Sequence, residues 1–417
     1  MPITKIRLGP WALALAIALF GLLAACSSSD DTASDTGGDT SEETTAPAGT
    51  EEAGEDEAED ADAAADEPAD EPAGDLSAGE VTVATTQSME GVAVFYAIEQ
   101  GGFAKHNVAG EVTVLASGVE VVQALANGEA DIGVMGSVPL LAGTSNDLPL
   151  VMIGMSHGDP IAEWNNENLG LVAGPGMEVD EAAVAQIRGD QNVGWVAVDE
   201  VAKLEGKTLG LFLGSAAEPH ALAYLNMAGL TRDDVEMVQV APADSALALR
   251  EGRVDAVLFW EPWTTRAVLD VPGAVRIAQG GAEGWYEVGT LLANRQFLEQ
   301  EPDAARAFLA TYADSQQWAR NNPGEAAEVL TRWLDGMSVE VAEEGLKYIV
   351  FDHRLSANIV DGYERSTIPF LLENDMMSKP VEPTDVIDPG PFLDVLEMYP
   401  EYYDDLEPIP ADREIGQ

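Results

Sequence analysis

One cysteine, four histidines and 20 Lys or Arg against 74 Asp or Glu define what this 417-residue chain does without. A lone Cys26 leaves no disulfide in the folded part and no paired thiols for redox work. The four histidines form neither an HExxH motif nor a cluster with zinc-site spacing, and no Walker-type phosphate loop is present. A serine nucleophile elbow needs G-x-S-x-G, which neither Gly136-Ser137 nor Gly214-Ser215 supplies. These gaps argue against an enzyme, and no cofactor or metal is expected. The net charge of −54 disfavours nucleic acid and anionic lipid as partners. Long apolar runs are missing too, apart from residues 11–25, too short for a membrane span and suited to a signal-peptide core.

That run follows Lys5 and Arg7 and ends in Leu23-Ala24-Ala25-Cys26. Small residues directly before the cysteine resemble a bacterial lipobox. The resemblance implies that residues 1–26 are a lipoprotein signal, that the Cys26 thiol receives a diacylglycerol, and that the mature protein is lipid-anchored on the outer face of the cytoplasmic membrane. Residues 27–79 hold nineteen Asp or Glu and no Lys, Arg or aromatic. Such a segment has too little apolar surface to offset its ordering entropy and repels itself, so it is expected to be a disordered, extended tether. What remains, residues 80–417, carries 55 Asp or Glu against 18 Lys or Arg and is long enough for two lobes.

From residue 80 the pattern alternates between strand and helix. Residues 80–85, 112–116, 131–135 and 150–155 read as strands, and residues 92–99 and 119–127 as helices. The stretch KTLGLFLGSAAEPHALAYLNMAGL, residues 207–230, is an apolar strand, a Gly-Ser turn and a helix, and residues 254–259 form another strand ending at Trp260-Glu261-Pro262. Strands alternating with helices predict a parallel α/β sheet with ligands beyond the strand C-termini. Three polar turns then share one rim: residues 86–90 with Ser88, Met89 and Glu90, then Gly136-Ser137, and Gly214-Ser215.

Taken together, the blocks VTVATTQSMEGVAVFYAIEQGGF, LANGEADIGVMGSVPLL, the GS…H stretch above and ALREGRVDAVLFWEPW resemble the solute-binding proteins of ABC importers for nitrate, sulfonates, taurine and thiamine precursors. The resemblance spans most of residues 80–370. It implies a two-lobed, type II periplasmic-binding-protein-like fold with two crossover hinge strands and a helical C-terminal third. On that reading lobe 1 takes residues 80–171 and 288–417 and lobe 2 residues 172–287, with crossovers at 169–173 and 288–293. Residues 174–205 are longer than the usual link, and the tail from 382 is expected to wrap the surface.

Several residues are candidates to meet a ligand in addition to Ser88, Met89, Glu90, Gly136 and Ser137. Ser215 and Ala216 open a helix whose free amides suit an anion, and His220 occupies a place like the histidine of taurine-type binders. Asp244 lies at another strand-to-helix turn. Trp260 and Glu261 offer a carboxylate beside an aromatic face, suited to an ammonium group; the alternative is that Trp260 packs a seam between lobes. Trp285, beside Tyr286 and Glu287, adds a second aromatic wall and another acid, and His157 faces either the cleft or solvent. The implied partners are a small solute, taurine-like or otherwise rich in nitrogen or sulfur, and the permease and ATPase of an importer, with the chain itself monomeric. Two rivals stay open: thiamine pyrimidine-precursor binding or synthesis on the same fold, and a lipid-anchored sensory protein.

Overall fold

The computed structural model describes residues 79–162, 168–282 and 285–416, all within one compact unit, Ala69–Gln417. The signal segment, Cys26 and the tether as far as Ala78 lie outside them. Eleven strands are described: β1 (Gly79–Thr86), β2 (Val108–Leu115), β3 (Ile132–Gly136), β4 (Leu150–Met155), β5 (Leu169–Ala173), β6 (Trp195–Val196), β7 (Thr208–Leu211), β8 (Glu236–Gln239), β9 (Ala256–Trp260), β10 (Val275–Gln279) and β11 (Gly289–Asn294). They form a five-stranded sheet in the order β2-β1-β3-β11-β4 and a six-stranded sheet in the order β6-β10-β5-β9-β7-β8. This is the two-lobed α/β fold of periplasmic binding proteins.

The directions of the strands position the site. β1 runs parallel to β2 and β3, whereas β11 runs against β3 and β4. In the second sheet β7 is parallel to β8 and β9, while β5 runs against β9 and β10. Each of β5 and β11 is the strand the chain enters on arriving from the other sheet. The runs expected as crossovers are therefore strands lying wholly within one sheet, and the passages fall between Met155 and Leu169 and between Gln279 and Gly289. Register follows from this: Leu169 pairs with Trp260, and Gly289 with Gly136, so both reversed strands begin where their neighbours end.

Local sequence explains the packing. In β3 the alternating face cannot be large, because a Cβ on Gly133 would lie 2.8 Å from both Leu125 Cδ1 and Val121 Cγ1 of the Gly118–Asn127 helix. Ser117 caps that helix by accepting from the Glu120 amide, and Gly128, at φ 71°, ends it in a left-handed turn that glycine adopts without strain. The bare strand surface lets the helix approach, and Leu125, fully buried, fills the interface.

The C-terminal third is helical, with Pro302–Asn321 and Pro323–Trp333 each opening on a proline whose missing N–H costs the helix nothing there. These helices pack on the first lobe, where the rings of Phe95 and Trp333 stack at 4.7 Å. Tyr312 Oη donates to the Glu90 carbonyl at 3.2 Å and Gln316 Nε2 to the Ser156 carbonyl at 2.6 Å, so the long helix braces the turns from below. The tail is more than a surface wrap. Tyr402 and Tyr403 are buried, and their hydroxyls meet His106 Nε2 at 3.1 Å and His353 Nε2 at 2.9 Å. Burial of those polar rings needs partners, which the tail supplies.

The long link contributes the Glu181–Arg188 helix, capped by Asp180, and the short edge strand β6. Trp195 is buried there with its Nε1 donating to the Asn192 carbonyl at 3.2 Å, and it does not line the cleft. Among the described residues, no helix is long and apolar enough to cross a membrane.

Leu125→Ala is expected to cost about 2–5 kcal/mol and Gly133→Ala about 1–3 kcal/mol in urea unfolding. Because the two residues touch, the double variant should lose at least 0.5 kcal/mol less than the sum, roughly the coupling seen between contacting sites. Simple additivity would show that Leu125 does not fill the space over Gly133.

Candidate functional site

Where the parallel strands end and the reversed strands begin, the two sheets border a hollow. Thr86 and Glu90 reach it from the turn after β1, Gly136 from the end of β3, and Glu287 from the approach to β11. The second sheet contributes Leu169, Trp260 and, from the turn after β7, Ser215 and Ala216. All three polar turns identified in the sequence therefore meet one cavity.

Glu90 is held by three side chains. Thr86 Oγ1 donates to its Oε1 at 3.0 Å, Ser156 Oγ donates to Oε2 at 2.5 Å, and His157 Nε2 lies 3.5 Å from Oε2. Asn168 links this group to the second lobe: its Nδ2 sits 3.2 Å from His157 Nε2, while its Oδ1 accepts from the Glu261 amide at 3.0 Å. Across the cavity Glu287 Oε1 accepts from the Ser137 amide at 3.1 Å. A Cβ on Gly136 would stand 2.6 Å from that carboxylate oxygen, so a side chain there would require the Glu287 carboxylate to shift.

The lobes also meet at a single carbonyl. Gln87 O accepts from Trp260 Nε1 at 3.2 Å and from Trp263 Nε1 at 2.7 Å, which places the Trp260 ring at the boundary between them. Trp260 thereby both lines the hollow and joins the lobes.

The remaining residues singled out in the sequence lie elsewhere. Ser88 is buried and caps the Met89–Gly91 turn by accepting from the Glu90 amide, and Met89 lies beneath it beside Gly345. Ser137 is buried at the start of the Ser137–Ser145 helix, next to the hollow but not on its wall. Asp244 is exposed at the head of the Ser245–Arg250 helix. Trp285 is fully buried, edge-on to Phe370 at 5.2 Å.

Glu261, read as a ligand carboxylate, is fully buried and tied to Arg276 Nη1 at 2.7 Å and to the Thr265 amide at 3.1 Å. Arg276 also donates to Gln279 and to Thr265 Oγ1, and stacks on the Tyr348 ring at 4.0 Å. An ion pair so enclosed ties the turn after β9 to β10 across β5 and has no carboxylate to spare. Nothing in the sequence links positions 261 and 276; only the sheet brings them together.

His220 is fully buried against Tyr224, ring centroids 4.6 Å apart, and does not line the hollow. Neither ring nitrogen has a hydrogen-bond partner among the described residues. Burial alone holds its pKa down to about 3, so the ring is neutral at pH 7.

Asn168 was no candidate from the sequence, whereas Thr86, offered there as part of a polar turn, His157, offered as facing either cleft or solvent, and Glu287, offered as an acid beside an aromatic pair, all line the hollow. For Thr86 the signal was its place in the first polar turn, and for Glu287 its place just before a strand. For Asn168 there was none.

Fold and cleft together define a two-lobed solute-binding architecture. The chain belongs to the NMT1-like family, whose profile matches residues 75–334. It is 24% identical over 313 residues to a putative aliphatic sulfonates-binding protein of Bacillus subtilis, covering 74% of this chain and 86% of the relative. Among solved structures it is similar to the alkanesulfonate-binding protein of Xanthomonas axonopodis pv. citri bound to MOPS, with 18% identity, a TM-score of 0.61, and coverage of 77% of this chain and 99% of that one. The desulfurization enzyme DSZB has the same fold, with 17% identity, a TM-score of 0.54, and coverage of 77% and 99%.

Two outcomes check this arrangement. Arg276→Met strands the buried Glu261 carboxylate and should cost about 3–5 kcal/mol in denaturant unfolding; a loss near zero would mean that Glu261 is not enclosed. For His220 the folded pKa lies below the unfolded value of about 6.5, so its contribution is complete above that pH and declines as pH falls towards 3. His220→Leu should be no less stable at pH 7, and its advantage should grow by about 1.4 kcal/mol per pH unit between pH 6 and 4. Parallel stability curves would contradict the buried, unpartnered ring.

Proposed function

We propose that this protein is the extracytoplasmic solute-binding component of an ABC importer, capturing a small nitrogen- or sulfur-containing solute between its lobes and presenting it to a membrane permease. The observation that carries this is convergence: turns from both sheets border one hollow at the strand ends, where the reversed strands also enter. Ligands of open α/β sheets bind at that edge, and two lobes joined by two passages can close over a solute. The names of the relatives, built on sulfonate binding, support the same role. The fold is shared with a desulfurization enzyme, but the relatives named for this chain's sequence are binding proteins.

Export and anchoring belong to the same proposal. The apolar run ending at Cys26 and the acidic segment after it would fix the domain to the membrane's outer face through a lipid and hold it at a distance.

Thermal-shift measurement against taurine, alkanesulfonates, nitrate, betaines and pyrimidine precursors tests the binding role. One member should stabilise the fold, by about 2.7 kcal/mol at a hundredfold excess over its dissociation constant. No shift across the panel would remove the reading and favour a sensory protein. Cys26→Ser should move the protein from the membrane fraction to the soluble one without altering that shift; unchanged membrane association would refute the lipid anchor.

A further inference from the structure

Resting on the solute-binding reading, we infer that the cleft recognises its ligand through a positively charged nitrogen, and that a small organic amine needs no anionic group to bind. The argument begins with the two helices that open onto the hollow. A helix start offers unpaired amides and partial positive charge, and would ordinarily welcome an anion. Here the chain's own carboxylates reach one amide at each of those turns. The Ser137 amide, first of the Ser137–Ser145 helix, is shared between the Val288 carbonyl at 3.0 Å and Glu287 Oε1 at 3.1 Å. The Gly214 amide, ahead of the Ala217–Met227 helix, points to Glu218 Oε2 at 2.8 Å, and Arg232 completes that group from the far side at 2.5 Å. Ser215 is committed as well, its hydroxyl donating to the Phe212 carbonyl at 2.7 Å and accepting from the Ala217 amide at 3.2 Å. A sulfonate or nitrate brought to either turn would displace an internal glutamate.

Charge on the wall points the same way. Glu90 and Glu287 both line the hollow, and among the described lining residues there is no Lys or Arg. Residues 163–167 and 283–284, outside the described set, contain none by sequence. The one other titratable lining group is His157, beside Glu90. An anion in the hollow would meet two acidic side chains and no lysine or arginine on the described wall, whereas an ammonium or amidinium would donate to acids that already line it. The Trp260 face, on the same wall, suits the body of such a cation. The part assigned to Glu261 by sequence is thus taken by Glu287 and Glu90.

Three probes of matched size separate the possibilities on the full chain: taurine with both charges, ethanesulfonate with the anion alone, and propylamine with the cation alone, with phenethylamine as a bulkier amine. The expected result is that one or both amines raise the melting temperature while ethanesulfonate does not, with taurine judged only against its amine-free analogue. Glu287→Gln keeps the acceptor for the Ser137 amide and removes the charge; it should weaken the amine about ten- to hundredfold by calorimetry, with Glu90→Gln as the second variant if the first unfolds. Binding of ethanesulfonate and of neither amine would overturn this inference and leave the solute-binding reading standing. Silence from every charged probe and from the wider panel would overturn both.

Discussion

Everything at the cleft depends on one topological constraint: each sheet contains a strand that enters it backwards from the other lobe. Because β5 and β11 run against β9 and β3, their first residues stand beside their neighbours' last ones. Trp260 is thereby set next to Leu169, and Gly136 next to Gly289 with Glu287 just ahead of it. Parallel strands alone would deliver two separate rims of turns. The reversed strands tie the rims together, and the Gln87 carbonyl, shared by two tryptophans of the other lobe, fastens them.

That same edge has an electrostatic character which its position does not dictate. Helix starts create positive potential, yet Glu287 and Glu218 fold back on the Ser137 and Gly214 amides beside them. Gly136 leaves the Glu287 carboxylate in its place, since a Cβ there would push it aside. Meanwhile the long C-terminal helix fixes Glu90 from below through Tyr312, and burial raises the Tyr312 hydroxyl's pKa well above the usual range, keeping it a donor. The charge of the cleft is therefore built from three regions far apart in the chain.

Periodicity made most of the architecture legible. Strand β4 coincides with its apolar run, and the helices around Val92 and Val121 follow from their spacing, because local patterning needs no knowledge of partners. The tail escaped that logic: its tyrosines look like surface, yet Tyr402 and Tyr403 are buried where their hydroxyls meet His106 and His353. Turn chemistry brought Glu90, Gly136, Ser215, Ala216 and Trp260 to the cavity wall. It could not separate Glu261 from Glu287, since a carboxylate beside an aromatic reads alike whether it faces a ligand or an arginine fifteen residues on.

The sequence by itself determined the alternation of strands and helices, the acidic composition ahead of the first strand and the turns that end the strands, because each is written in adjacent residues. Tertiary structure alone decided which carboxylates face the cavity and which are neutralised. That outcome depends on Arg276 meeting Glu261, Arg232 meeting Glu218, and the Ser137 amide meeting Glu287, contacts set by sheet register and helix packing over spans that no local pattern encodes.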